Sequence, residues 1–177
     1  MKGKSDNSKG VHKTRSLVLT GLLFALALVL TVVENAFPAL PLPVPGVKFG
    51  LSNIAVMYAL FFLKKSQAFS IAVLKGLFVA ATRGVIAGIL SISGGILSLT
   101  VMIIIMIAFN KKASYVIESI SGAVAHNLGQ FIAISFIYTG MYLVAYLPVL
   151  LISGVVAGIV TATLLRFIIP AFDRLGQ

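Results

Sequence analysis

The sequence has no cysteine and no tryptophan, and its 177 residues include only four acidic ones, Asp6, Glu34, Glu118 and Asp173. Without cysteine there is no disulfide, no thiolate chemistry and no Cys-based metal site. Without tryptophan, anchoring at a membrane interface falls to tyrosine, phenylalanine and basic side chains. The four carboxylates stand apart from one another. A prenyl-chain synthase needs paired aspartates to hold Mg²⁺ on a diphosphate, so this chain alone is not expected to be an enzyme. Two histidines, His12 and His126, one of them in the N-terminal tail, do not make a zinc site. No G-x-x-x-x-G-K-[ST] run is present, which excludes a self-contained ATPase of that kind. No metal or cofactor is expected.

Charge of either sign is also scarce. Charged residues make up 10% of the chain and hydrophobic ones 59%, and the mean hydropathy is +1.10. A soluble domain of this length needs a far more charged surface, so the expectation is an all-α integral membrane protein in contact with the lipid bilayer. The net charge of +10 would suggest nucleic acid in a soluble protein. Here the bases sit mostly at the ends of apolar runs, where they set topology and meet lipid headgroups, and no nucleic-acid partner is expected. The first apolar run, Leu17 to Val33, is long for the core of a signal peptide and no A-x-A site follows it, so it reads as a retained helix.

Taken in order, residues 1–16 form a basic tail expected to be disordered and cytoplasmic, residues 17–170 a membrane domain, and residues 171–177 a cytoplasmic C-terminal tail. The domain divides into six expected spans: Leu17–Phe37, Lys48–Leu63, Gln67–Gly88, Leu90–Phe109, Tyr115–Tyr138 and Met141–Ile169. The fourth follows a tight connection and a break at Ser93-Gly94-Gly95. The last is kinked or begun at Pro148 and ended by Pro170. Six spans place both termini on one side, and the charges agree. Five bases in the tail join Lys64, Lys65, Lys111, Lys112, Arg166 and Arg174 on that side, eleven of the fourteen. The positive-inside rule makes that side cytoplasmic, N-in and C-in.

Topology leaves Lys48, Lys75 and Arg83 unexplained. The chain is organised around the stretch from Glu34 to Ala59, where Pro38, Pro41, Pro43 and Pro45 impose an extended connection between apolar runs. That connection reads as the rim or lid of a binding site. An ionisable side chain at the centre of a span costs roughly 2.5–3.5 kcal/mol on insertion scales and is a functional candidate by default. Lys75 is mid-span, with Arg83 eight residues on and near the outer end. Glu34 and Lys48 flank the proline-rich stretch, with Asn53 beside Gly50-Leu51-Ser52. On the fifth span His126 and Gln130 share a face, with Asn127 adjacent. The plain alternative is a set of interhelical hydrogen bonds with a Glu34–Arg83 or Glu34–Lys48 ion pair. Against it, three intramembrane bases face one nearby acid. A low-dielectric pocket with surplus positive charge requires an incoming anion or a neutral lysine. The set therefore predicts a phosphate, diphosphate or carboxylate on an apolar body, bound by Glu34, Lys48, Asn53, Lys75, Arg83, His126, Asn127 and Gln130. His126 either packs between helices or titrates with transport. Small-x-x-x-small runs at Gly21/Ala25, Gly84/Gly88 and Gly154/Gly158 let helices approach closely.

The segments Pro45–Asn53 (PGVKFGLSN), Ser91–Met102 (SISGGILSLTVM) and Gly122–Gln130 (GAVAHNLGQ), with Glu34-x-x-x-Pro38 ahead of them, resemble a small membrane family described both as heptaprenyl diphosphate synthase component I and as Gx transporter. The resemblance covers nearly all of the chain after the tail. That family is similar to the substrate-binding S components of energy-coupling factor (ECF) transporters. The similarity implies a six-helix bundle, N-in, in a prokaryotic plasma membrane, with a ligand held near the outer face and with a T subunit and two ATPases as partners. It also implies that the small-residue patch Gly21-x-x-x-Ala25 docks the T subunit, although it departs from the usual alanine pair. The synthase name implies an isoprenoid or quinone precursor as ligand, or a non-catalytic partnership with prenyl-quinone synthesis or a membrane redox pathway.

Overall fold

In the computed structural model, residues 3–36, 50–110, 112–138 and 143–175 are described. They form six α-helices: α1 Gly3–Ala36, α2 Asn53–Phe62, α3 Lys65–Arg83, α4 Val85–Ala108, α5 Tyr115–Ile137 and α6 Leu147–Leu175, the last preceded by a 3₁₀ turn at Leu143–Tyr146. No strand occurs among the described residues. The proline-rich connection, including Lys48, and the Thr139-Gly140 turn lie outside them.

Four segments are long and apolar enough to cross a membrane: Thr14–Ala36, Val85–Ala108, Tyr115–Ile137 and Val144–Pro170. Six full spans were expected. The second, expected from Lys48, is a helix of only 10 residues, about 15 Å at 1.5 Å per residue and half a hydrocarbon core. The third, α3, carries Lys65, Lys75 and Arg83 in 19 residues, which lowers its hydropathy.

Boundaries differ elsewhere too. The third span was expected to reach Gly88, but α3 stops at Arg83. Gly84, at φ +93°, makes the corner that α4 starts from. Only a residue without Cβ takes that conformation readily. The expected break at Ser93-Gly94-Gly95 is instead continuous helix, and Gly94 and Gly95 are buried within α4. The polar segment expected to be disordered is helical from Gly3, continuous with the apolar part of α1. Pro148 falls in the first turn of α6, where its missing N–H costs little. The final helix passes through Pro170 to Leu175 instead of ending there.

Packing follows chain order from α3 to α6, each helix lying against the next, while α2 touches α1, α3 and α6. Every residue from Ile54 to Leu60 is buried. The core is built around this short helix, with Leu23 and Ala27 of α1, Ile71 and Ala72 of α3, Leu99 of α4 and Leu165 of α6 closing over it. The helix ends near Ser16 and Tyr115 are levelled by side-chain ties. Gln67 at the start of α3 donates to Ser16 Oγ of α1 at 2.8 Å. The ring of Phe61, near the end of α2, meets Tyr115, at the start of α5, edge-on with centroids 5.1 Å apart. Because α2 rises only half the height of its neighbours from that level, its N-terminal end lies at mid-bundle.

Candidate functional site

The start of α2 opens into a cavity of about 610 Å³, within the size range of organic-ligand sites. It is lined from all six helices. Of the eight side chains expected at a binding site, Glu34, Asn53, Lys75, Arg83, His126, Asn127 and Gln130 all line it. Lys48 lies outside the described residues. Gly21 and Ala25 do not join the cavity. They lie on the exposed face of α1, where a Cβ added at Gly21 would meet nothing within 4 Å.

Lys75 is the buried cation of the cavity wall, at 3% exposure. Its Nζ donates to Asn53 Oδ1 at 2.7 Å and to Ser52 Oγ at 3.3 Å, joining α3 to the first turn of α2. The positive end of the α2 dipole faces the same space. Glu34 is tied to the backbone. Its Oε1 accepts the backbone N–H of Gly50, which sits at φ +69° one turn before α2. The carboxylate therefore ties the end of α1 to the start of α2 across the proline-rich connection. Arg83, at the rim, donates to Asn35 Oδ1 at 3.2 Å instead of forming the Glu34 pair weighed from the sequence.

The α5 side is divided in its duties. His126 and Gln130 share a face as their spacing demands, with Gln130 Nε2 3.1 Å from His126 Nε2. His126 Nδ1 is buried with no hydrogen-bond partner among the described residues. Asn127 is largely committed to structure. Its Nδ2 donates to the Leu150 carbonyl at 2.8 Å and to Ser153 Oγ at 3.2 Å, fastening α5 to α6. Asn127→Ala is therefore expected to cost about 0.6–1.7 kcal/mol, the span of measured interhelical hydrogen bonds in membranes. Thermal melting of the purified protein reads this as a drop of a few degrees, and an unchanged melting point would show that the tie contributes nothing.

Some residues of interest were not anticipated. Tyr138 and Tyr146 flank the cavity, and Met57, Met102, Ser91, Ser98 and Thr161 line it. Glu118 is 1% exposed, and its Oε2 is buried without a hydrogen-bond partner among the described residues. It lies four residues into α5, a position that from sequence reads as interfacial and therefore inexpensive. An unpartnered buried carboxylate stabilises nothing in the fold. Glu118→Gln, which keeps the shape, is accordingly expected to leave the melting temperature unchanged or to raise it. A fall of several degrees would show that Glu118 has a partner in the assembled protein. No group of three or more histidine, aspartate or glutamate side chains that could hold a metal forms among the described residues.

Comparison with known families agrees with the motifs. The family model described as heptaprenyl diphosphate synthase component I matches residues 23–168, and the chain belongs to that family. No curated protein and no solved structure is significantly similar to it.

Proposed function

We propose that the chain is the substrate-binding, S-component-like subunit of a membrane transporter, and that it captures a small anionic amphiphile, such as an isoprenoid or quinone precursor, at the outer face of a prokaryotic plasma membrane. The observation that carries this reading is the gathering of Lys75, buried in the wall of a cavity of about 610 Å³, with Glu34, Asn53, Arg83, His126 and Gln130 around the same space. A charge held so deep is expensive, and an anion from outside offsets it. In this reading all six helices are membrane-embedded, N-in and C-in. The four long ones meet lipid, while α2 and α3 are tolerated at membrane depth because protein and cavity surround their polar groups. Glu34, Lys48, Asn53, Arg83, His126, Asn127 and Gln130 complete the site around Lys75.

No energy-coupling module is recognisable in the chain, so coupling comes from partners, an ECF T subunit with its ATPases. The exposed Gly21/Ala25 face of α1 is where the T subunit docks in this scheme. The family's name favours a second reading, a non-catalytic membrane component of heptaprenyl diphosphate or quinone synthesis, and the same cation would then hold a diphosphate for a soluble partner.

Native mass spectrometry of the protein, purified gently from its own membrane, separates the two. A retained anionic small molecule, with T subunit and ATPases attached, is the expected result. An empty protein carrying a soluble, aspartate-rich synthase would overturn the transport role in favour of the second reading.

A further inference from the structure

The lower part of the cavity carries hydroxyls that the helices leave unused. Inside a helix, serine and threonine commonly return their hydroxyl to the carbonyl three or four residues back. Thr31, Ser93, Thr100 and Ser135 all do so here, at 2.7–2.8 Å. Ser91 and Ser98 of α4 and Thr161 of α6 do not. All three line the cavity, all are buried, and none makes a hydrogen bond among the described residues.

Their depth follows from helix register. α4 runs antiparallel on α3, with Gly88 against Ala80 and Gly95 against Ala72. Lys75 is therefore level with residue 92 or 93 of α4. Ser91 flanks it, and Ser98 lies about five residues deeper, roughly 7 Å at 1.5 Å per residue. Gly158 of α6 backs onto Ile120 of α5, which puts Thr161, almost one turn further along α6, close to the inner end of α5. Met57 and Met102 line the cavity along with these hydroxyls. The cavity thus has a cationic station at mid-bundle and a hydroxyl station, Ser98, below it, with Thr161 deeper still at the floor.

The geometry points to a ligand that is polar at both ends: an organic anion whose charged group meets Lys75 and Asn53 and whose far end presents an oxygen function to Ser98. This rests on the anion-binding reading above and narrows it. An oxygenated ring between the two stations satisfies the Ser98 hydroxyl, and thioethers make favourable contacts with such rings. A plain hydrocarbon tail would leave that hydroxyl dry and unpaired. Sites built to hydrogen-bond a ligand oxygen reject the analogue that lacks it by as much as roughly 10⁴-fold.

The test uses the full chain in detergent and three probes: 2-naphthoate, a naphthoate with two ring hydroxyls, and geranyl phosphate. Binding is titrated by thermal shift. The expected result is that the hydroxylated naphthoate binds at least tenfold tighter than the unsubstituted one. Ser98→Ala removes that preference, while Thr161→Val, deeper in the cavity, keeps it. Each variant's own melting curve reports that it is folded. If geranyl phosphate binds tightest, or if Ser98→Ala keeps the preference, the two-ended ligand is wrong. The anion reading then still stands, provided that Lys75→Met loses all three probes. If no probe shifts the wild-type melting point, both the anion reading and the hydroxyl station fall.

Discussion

Lys75→Ala is expected to weaken anion binding by at least about a hundredfold without lowering the melting temperature of the empty protein. The first part follows from Coulomb's law. A unit charge about 4 Å from an anion is worth around 4 kcal/mol at the effective dielectric of a protein near its surface, and every 1.4 kcal/mol is tenfold in affinity. Rearrangement of Arg83, which is exposed at the rim and bonded to Asn35, recovers part of that. The second part follows from the cost of holding the charge. The variant gives up two hydrogen bonds, to Asn53 and Ser52, and is relieved of an insertion cost of roughly 2.5–3.5 kcal/mol. Lys75→Met keeps most of the stem and checks that any lost binding is not collapse of the wall. Titration of the probe anions against each variant, with melting curves alongside, decides it. If both variants fail to insert or unfold in detergent, Lys75 is a structural clamp between α2 and α3 and the cavity is not an anion site.

The intramembrane charges were legible in the sequence because charge inside a span is expensive and therefore informative. Lys75, Glu34, Arg83, His126 and Gln130 could be named without coordinates, and they line one cavity. Three things were not legible, each for a physical reason. The first is the length of α2. Ile54–Leu60 is buried on every side, so it shows no polar stripe, and an apolar run of this kind reads the same whether it stands in lipid or in a protein core. The second is the use of glycine. Gly84 serves as a corner at positive φ, Gly88 brings α4 onto Ala80, and Gly94 brings it onto His126. All three are glycine in an apolar stretch, and only the fold tells a turn from a close contact. The third is the direction of small polar side chains. Asn127 and Gln130 are three residues apart, yet Asn127 is spent on α6 and Gln130 on His126. Ser98 and Thr161 look like ordinary packing hydroxyls until their missing partners are noticed.

Gly129→Ala and Gly158→Ala should be among the most damaging of the small substitutions, because each puts a methyl group against backbone. At Gly129 the new Cβ would lie 2.8 Å from the Ser93 carbonyl oxygen and 2.9 Å from Gly94 Cα. At Gly158 it would lie 2.8 Å from Ile120 N and 3.0 Å from the Ser119 carbonyl oxygen. A side chain can turn away from such an intrusion, but a helical backbone moves only with its whole helix. Ordinary overpacking costs about 1–3 kcal/mol, and these two contacts belong at or above the top of that range. Gly158→Ala also disturbs the carbonyl that accepts from Ser119 at 2.8 Å. Gly129→Ala separates α4 from α5 beside His126 and Gln130, so it should weaken probe binding as well as stability. Gly21→Ala is the control. Nothing lies within 4 Å of its Cβ position, and alanine is favoured over glycine in a helix by up to about 1 kcal/mol, so the isolated chain should melt at the same temperature or higher. Melting curves of the three variants in one detergent make the comparison. Equal melting of Gly129→Ala and wild type would mean that α4 and α5 are not in backbone contact, and the cavity between them would have to be redrawn. A destabilised Gly21→Ala would mean that the α1 face is already covered by a second copy of the chain, which would remove it as the surface proposed for the T subunit.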